Sequence, residues 1–196
     1  MYIDISSYNG NIDFGKVAKN DTPIDGIIMR STTRDGNLDV RLIENYNKAL
    51  VALPDLEEIS VYKFSYADNY IDARMECMKT LAALAAKGLH FDKFYLDLEL
   101  HGGREYSTDT SNKVILAYVD EFTRRGLIDK FALYFNYNYL KNIIAPIWRV
   151  LPIWLARYNN EMGDVFGANV ILWQYSSKGT VDGIYGNVDL SKRVLK

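Results

Sequence analysis

Short apolar runs separated by helical patterns constrain this chain more than any other feature. Tyr2–Ser6, Gly26–Arg30, Ile59–Ser65, Phe94–Leu100 and Phe131–Asn136 are too short for helices and rich in β-branched or aromatic residues, as buried strands are. The segments between them carry the other period. Ile12–Lys19 reads as a short helix. Leu42, Ile43, Tyr46, Ala49, Leu50 and Leu53 recur at helical spacing, with Asp39 placed to cap that helix and Pro54 to stop it. Asp68–Lys87 gives the longest amphipathic pattern, ended by Gly88. A further helix, capped at Thr110 or Ser111, runs through Arg125 to Gly126, and a short one near Tyr139–Ala145 precedes Pro146. From there the rhythm changes. Ile153–Arg157 and Val170–Tyr175 are strands with only loop between them, Gly179–Gly186 is a turn-rich hairpin, and Val188–Leu190 is a last short strand. Strands alternating with helices imply parallel βαβ units, and eight of them imply closure. The expected fold is α/β: an irregular TIM-like barrel of eight strands and about five helices, the last three strands lacking helices.

With 196 residues, and no Pro/Gly/Ser linker or repeat, residues 1–196 are expected to form a single domain with no room for a separate wall-binding module. The net charge of −2 leaves no basic footprint for nucleic acid or an anionic membrane. No apolar run is long enough to span a bilayer. The second residue already begins a strand, so no signal peptide is expected in this chain. The single Cys77 rules out an internal disulfide and reads as a packed core thiol. His90 and His101 form no metal-ligand spacing, so neither metal nor organic cofactor is expected. A monomer is the expected state. Aromatic residues reach 13%, a composition that suits sugar binding and core filling equally.

The fourth strand carries the chemistry. Asp97 and Glu99 stand at i and i+2, so alternation points them to the same side, roughly 6.5–7 Å apart along the strand. Two buried carboxylates are costly unless they neutralise or find partners, and proximity holds a proton on the pair. An Asp-x-Glu at a strand end can cap a helix or pair with Arg and Lys. It can also place a proton donor beside a charge stabiliser, as acid/base hydrolysis needs. Catalytic groups of such barrels gather at the carboxyl ends of the strands. Asp4 on the first strand and Asp189 on the last approach each other on closure, giving four acids at one mouth.

These residues resemble glycoside hydrolase family 25, the N-acetylmuramidases that include autolysins and bacteriophage endolysins. The likeness rests on Ile3-Asp4-Ile5-Ser6 with Asn9-Gly10, on Asp97-Leu98-Glu99, on Trp173-Gln174-Tyr175-Ser176-Ser177, and on Gly183-Ile184-x-Gly186-x-Val188-Asp189, in order across almost the whole chain. The resemblance implies a hydrolase that cleaves the β-1,4 bond between N-acetylmuramic acid and N-acetylglucosamine in bacterial peptidoglycan. It implies Glu99 as general acid/base, Asp97 as partner carboxylate, and Asp4 and Asp189 as flanking acids. Tyr62, Trp154, Tyr158 and Trp173 are similar to residues lining the family's sugar cleft, and Gln174 matches its pattern. Arg30, ending the second strand, is a candidate to pair with an acid of the cluster. Tyr134, near the end of the fifth strand, is a candidate substrate contact, and His101 a weaker one.

Two routes stay open at this point. In one, the sugar's 2-acetamido oxygen attacks the anomeric carbon while Asp97 orients it, with net retention; in the other, an acid activates water with inversion. Two other functions also stay open: a β-hexosaminidase or chitin-type hydrolase, and a glycan-binding barrel without turnover. A phage endolysin released by lysis and a domain of a secreted protein fit the chain equally. The sequence departs from the family where Tyr-His-Phe is common, carrying Tyr62-Lys63-Phe64, with Lys63 expected on the face opposite Tyr62 as neutral packing.

Overall fold

Period-two alternation along eight short strands builds one closed sheet. The computed structural model describes residues 1–99 and 106–194. Its strands are β1 (Tyr2–Ile5), β2 (Gly26–Arg30), β3 (Glu58–Phe64), β4 (Phe94–Asp97), β5 (Phe131–Asn136), β6 (Ile153–Ala156), β7 (Val170–Gly179) and β8 (Val188–Arg193), joined in chain order into a barrel. The helices are α1 (Phe14–Val17), α2 (Leu42–Ala52), α3 (Tyr70–Ala86), α4 (Thr108–Arg124) and α5 (Tyr137–Asn142). The expected barrel of eight strands and about five helices is thus present. β1 to β7 pair in parallel. The hairpin after β7 turns the chain back, so β8 runs antiparallel to both β7 and β1.

Local chemistry moves several boundaries. α1 is shorter than the pattern Ile12–Lys19. α4 is capped by Ser107, whose Oγ accepts the N–H of Thr110 at 3.0 Å, rather than by Thr110 or Ser111; Ser111 lies buried within the helix. Asp39 precedes α2 and accepts the Arg41 N–H at 2.9 Å, but it is not the cap residue, and its other oxygen is engaged elsewhere. β4 ends at Asp97, so Glu99 follows the strand instead of lying in it.

The residues pointing outward from the barrel, among them Ile3, Ile27, Val61, Leu96, Leu133 and Phe135, pack against Cys77, Leu81, Val114 and Phe122 of α3 and α4. Cys77 is fully buried there, and burial pushes its thiol far above its usual range, as suits a packed core residue. Inside the barrel a second cluster holds Tyr2, Ile28, Tyr95, Ala132, Tyr134, Trp154, Ala156 and Leu172. At the floor, Glu58 accepts from Tyr95 at 2.9 Å and Ser60 at 2.7 Å. Arg193 lies 3.6 Å from the same carboxylate and donates to the Tyr2 hydroxyl.

The ring of Tyr2 fits because its register partner across β1 and β2 is Gly26. A Cβ built at Gly26 would clash with Cε1 and Cδ1 of that ring. Gly26→Ala is therefore expected to destabilise the fold by about 1–3 kcal/mol through overpacking of the floor. Chemical denaturation measures this directly, and an unchanged midpoint would show that the ring swings aside at no cost.

Candidate active site

β1, β4 and β8 deliver acids to the same end of the barrel. Asp4 is the third residue of β1, Asp97 closes β4, Glu99 lies two residues beyond, and Asp189 is the second residue of β8. Because β8 is reversed, its beginning lies at the carboxyl ends of the parallel strands. Asp4 and Asp189 stand directly opposite in the β1–β8 ladder. All four acids line a cavity of about 380 Å³ together with Tyr8, Arg30, Tyr62, Phe64, Tyr66, Tyr134, Trp154 and Gln174.

Gln174 is the hub of this mouth. Its Nε2 donates to Asp4 Oδ2 at 2.9 Å and to Asp189 Oδ2 at 3.2 Å. Its Oε1 accepts from the hydroxyls of Tyr134 and Tyr158, each at 2.8 Å. One buried amide thus bridges two like charges and orients two phenols. The Tyr134 hydroxyl also reaches the Glu99 carboxyl, which it favours in the ionised form.

Electrostatics push every one of the four acids toward the protonated form. Asp4 is raised well above the usual carboxylate range by burial, then by Asp189 and Glu99, against the Gln174 hydrogen bond. Asp97 is raised well above it by burial, then by Glu99 and Asp4, with Lys63 opposing. Glu99 is raised by burial and then by Asp189, against the Tyr134 hydrogen bond. Asp189 is raised by burial. Four acids this close cannot all ionise together, so the cluster holds protons at pH values where free carboxylates have none. Asp97 Oδ1 is buried without a hydrogen-bond partner among the described residues. Among those same residues no group of His, Cys, Asp and Glu is arranged to hold a metal ion.

The remaining sequence candidates divide. Tyr62, Tyr134, Trp154, Gln174 and Arg30 are brought to the cavity. Trp154 lies deep, its Nε1 donating to Ser191 Oγ at 2.9 Å and its ring 4.3 Å from that of Tyr134. Tyr158 is half exposed at the rim and joins the site through Gln174. Trp173 is not brought there. Gln174 takes the inward side of β7, so alternation turns Trp173 outward, where its Nε1 donates to the Arg157 carbonyl and Lys192 lies over its ring. Arg30 pairs with Asp39 (Nε to Oδ2, 2.7 Å) and with Ser7 Oγ, not with an acid of the cluster, because the chain folds back after β2 and buries Asp39 beside it. His101 lies outside the described residues.

Tyr8, Phe64 and Tyr66 were not among the sequence candidates. Alternation from Tyr62 gives Phe64 its cavity-facing side, and that signal was available. Tyr8 sits on a single 3₁₀ turn, its ring 4.6 Å from the Arg30 guanidinium, a tertiary contact that no local pattern encodes.

Comparison with known proteins bears on this geometry. The family model for Glycosyl hydrolases family 25 matches residues 3–184. The autolytic lysozyme of Clostridium acetobutylicum is 25% identical over 191 residues, spanning 97% of this chain and 54% of that protein. The modular autolysin LytC of Streptococcus pneumoniae, solved in complex with a synthetic peptidoglycan ligand, aligns with a TM-score of 0.82 and 27% identity over 97% of this chain and 45% of its own. The bacterial lysozyme of Streptomyces coelicolor shares the fold at a TM-score of 0.73 and 18% identity, over 97% of this chain and 90% of its own. The chain spans about half the length of the first two.

The acid cluster has a consequence for stability. Carboxyls raised in the folded state bind protons more tightly than in the unfolded chain. Their contribution is fully present below the unfolded values and is lost as pH rises through the folded ones. Asp97→Asn removes one charge from the crowded set. It is expected to stabilise the protein by about 1–2 kcal/mol near pH 7.5, and the gain should fade towards pH 4. Thermal unfolding of variant and parent at both pH values measures this. A gain equal at both values would show that the charge is not its source.

Proposed function

Because the chain belongs to glycosyl hydrolases family 25, we propose that it is a peptidoglycan hydrolase cleaving the β-1,4 bond between N-acetylmuramic acid and N-acetylglucosamine. The observation that carries this reading is the mouth of the barrel: four carboxyls in one cavity, all raised toward protonation, beneath an aromatic wall. The peptidoglycan ligand of the pneumococcal autolysin supports the choice of substrate.

In this reading Glu99 supplies the proton. Glycosidic cleavage builds positive charge at the anomeric carbon while the leaving oxygen requires a proton. Protonated Glu99 gives it, and the C1–O bond breaks. The carbonyl oxygen of the 2-acetamido group bonds to C1 from the opposite face, and Asp97 Oδ1 accepts the acetamido N–H. The unpartnered Asp97 Oδ1 is suited to that contact. Water then attacks C1, passing its proton to the Glu99 carboxylate. The acetamido carbonyl is restored, and configuration is retained. Asp4 and Asp189, set by Gln174, stabilise the cationic sugar and tune how many protons the cluster holds. Tyr62 offers an aromatic face with a polar tip to the sugar rings, and the nearly buried Tyr134 and Trp154 close the bottom of the cavity beneath them.

Glu99→Gln is expected to remove turnover by about 10³-fold or more while circular dichroism stays unchanged. Asp97→Asn should lose most activity. The products are read by digesting purified peptidoglycan, reducing with borohydride and identifying the new ends by mass spectrometry. Muramitol ends made only by the parent support an N-acetylmuramidase using this acid. Glucosaminitol ends would reassign the bond, and a Glu99→Gln variant as active as the parent would remove Glu99 from its role.

A further inference from the structure

Lys63 is the penultimate residue of β3, flanked by the cavity-lining residues Tyr62 and Phe64 and pointing away from them. It is fully buried. Burial lowers its pKa, while Glu76 and Asp97 oppose that shift. A buried ammonium is costly unless its surroundings compensate, and an apolar side chain would fill the same space at less cost. Neutral packing therefore does not account for it.

Two of its contacts lead to Tyr66. Nζ donates to the Thr33 carbonyl at 3.2 Å, lies 4.0 Å from Glu76 Oε2, and sits 4.9 Å from the centre of the Tyr66 ring. Glu76, on α3, accepts the backbone N–H of Tyr66 at 3.0 Å through the same oxygen, and its other oxygen accepts from Tyr118 of α4 at 2.7 Å. The Tyr66 ring packs 4.9 Å from Phe64, and both line the cavity. Backbone and ring of Tyr66 are thus both held from behind by one ion pair anchored in the helix layer.

We propose that Lys63 is a positioning residue of the glycan cleft: with Glu76 it fixes Tyr66, and through it the Phe64–Tyr66 wall, against which substrate binds. This rests on the reading of the cavity as a glycan-cleaving cleft. Lys63 touches no reacting atom, although its charge opposes the rise of Asp97; the positioning effect falls on binding of the ground state and transition state alike, and is read from KM. The cation beneath the ring and the carboxylate on the backbone act on the same residue, so their loss is felt only while the Tyr66 ring is present.

The test is steady-state kinetics on soluble peptidoglycan oligomers of defined length. It compares the parent, Lys63→Met, Tyr66→Leu and the double variant. Lys63→Met is expected to raise KM about fivefold or more, whatever the loss of its charge near Asp97 does to kcat. In the Tyr66→Leu background, Lys63→Met should change KM no further. Should Lys63→Met fail to fold, Lys63→Met/Glu76→Gln leaves no unpaired buried charge and is judged by the same KM criterion. Equal KM effects in the two Tyr66 backgrounds, an unchanged KM, or a fall in kcat alone would overturn the role of Lys63 while the parent still cleaves. A parent that neither cleaves nor binds these oligomers would overturn the cleft reading, and this inference with it.

Discussion

Asp4 and Asp189 face each other across the seam that closes the barrel. Like charges directly opposite in an antiparallel pair weaken it, yet this pair is where the sheet must join. The neighbouring strand resolves the conflict. Gln174 reaches from β7 and donates one amide hydrogen to each carboxyl, while Trp154 of β6 donates to Ser191 further along β8. Closure and site are therefore one arrangement. Without the reversed β8, Asp189 would not lie opposite Asp4, and Gln174 would have no second acid to bridge.

The two ends of the barrel treat the same residue types in opposite ways. At the floor, Glu58 is surrounded by hydroxyl donors from Tyr95 and Ser60 and by the Arg193 guanidinium. At the mouth, Asp97 keeps one buried oxygen without a partner among the described residues, and carboxyls raise one another toward the neutral form. The floor satisfies its polar groups and so stabilises the fold. The mouth leaves acceptors and protons for something outside the chain. That asymmetry distinguishes a site from a buried structural network, and it agrees with barrels that place stability at one end and chemistry at the other.

Much of this was legible because alternation and helical periodicity are local. The strand centres, the barrel, and the shared cavity of Asp4, Asp97, Glu99 and Asp189 follow from runs a few residues long plus the rule that a closed sheet joins first strand to last. The failures share a physical cause. Alternation says that Trp173 and Gln174 face opposite ways, but the resemblance offered both, and which one faces inward is set by register with β6 and β8. Arg30 has several acids within plausible reach. Only the fold-back after β2 selects Asp39. Lys63 was correctly placed on the face opposite Tyr62, but its pairing with Glu76 depends on how α3 docks. Gly183, read as part of a family motif, has a structural reason: it is in the left-handed region, and a Cβ there would strike the Asp13 carbonyl, so the β7–β8 connection packs tightly on the start of α1.

Acid strength at this mouth is coupled to the aromatic wall of the cavity. Burial is the first cause of the raised pKa at each of the four acids. The groups that bury them are largely aromatic: Tyr62, Phe64, Tyr134 and Trp154 line the cavity beside them. The influence runs both ways, since burial and then the Asp4 and Asp97 charges push the Tyr62 hydroxyl well above its usual range, holding it neutral as a donor. On the proposed reading, a sugar settling against that wall displaces more water from the carboxyls and strengthens the shift further. On the same reading, binding then favours the protonated cluster, which is the state from which glycosidic cleavage begins.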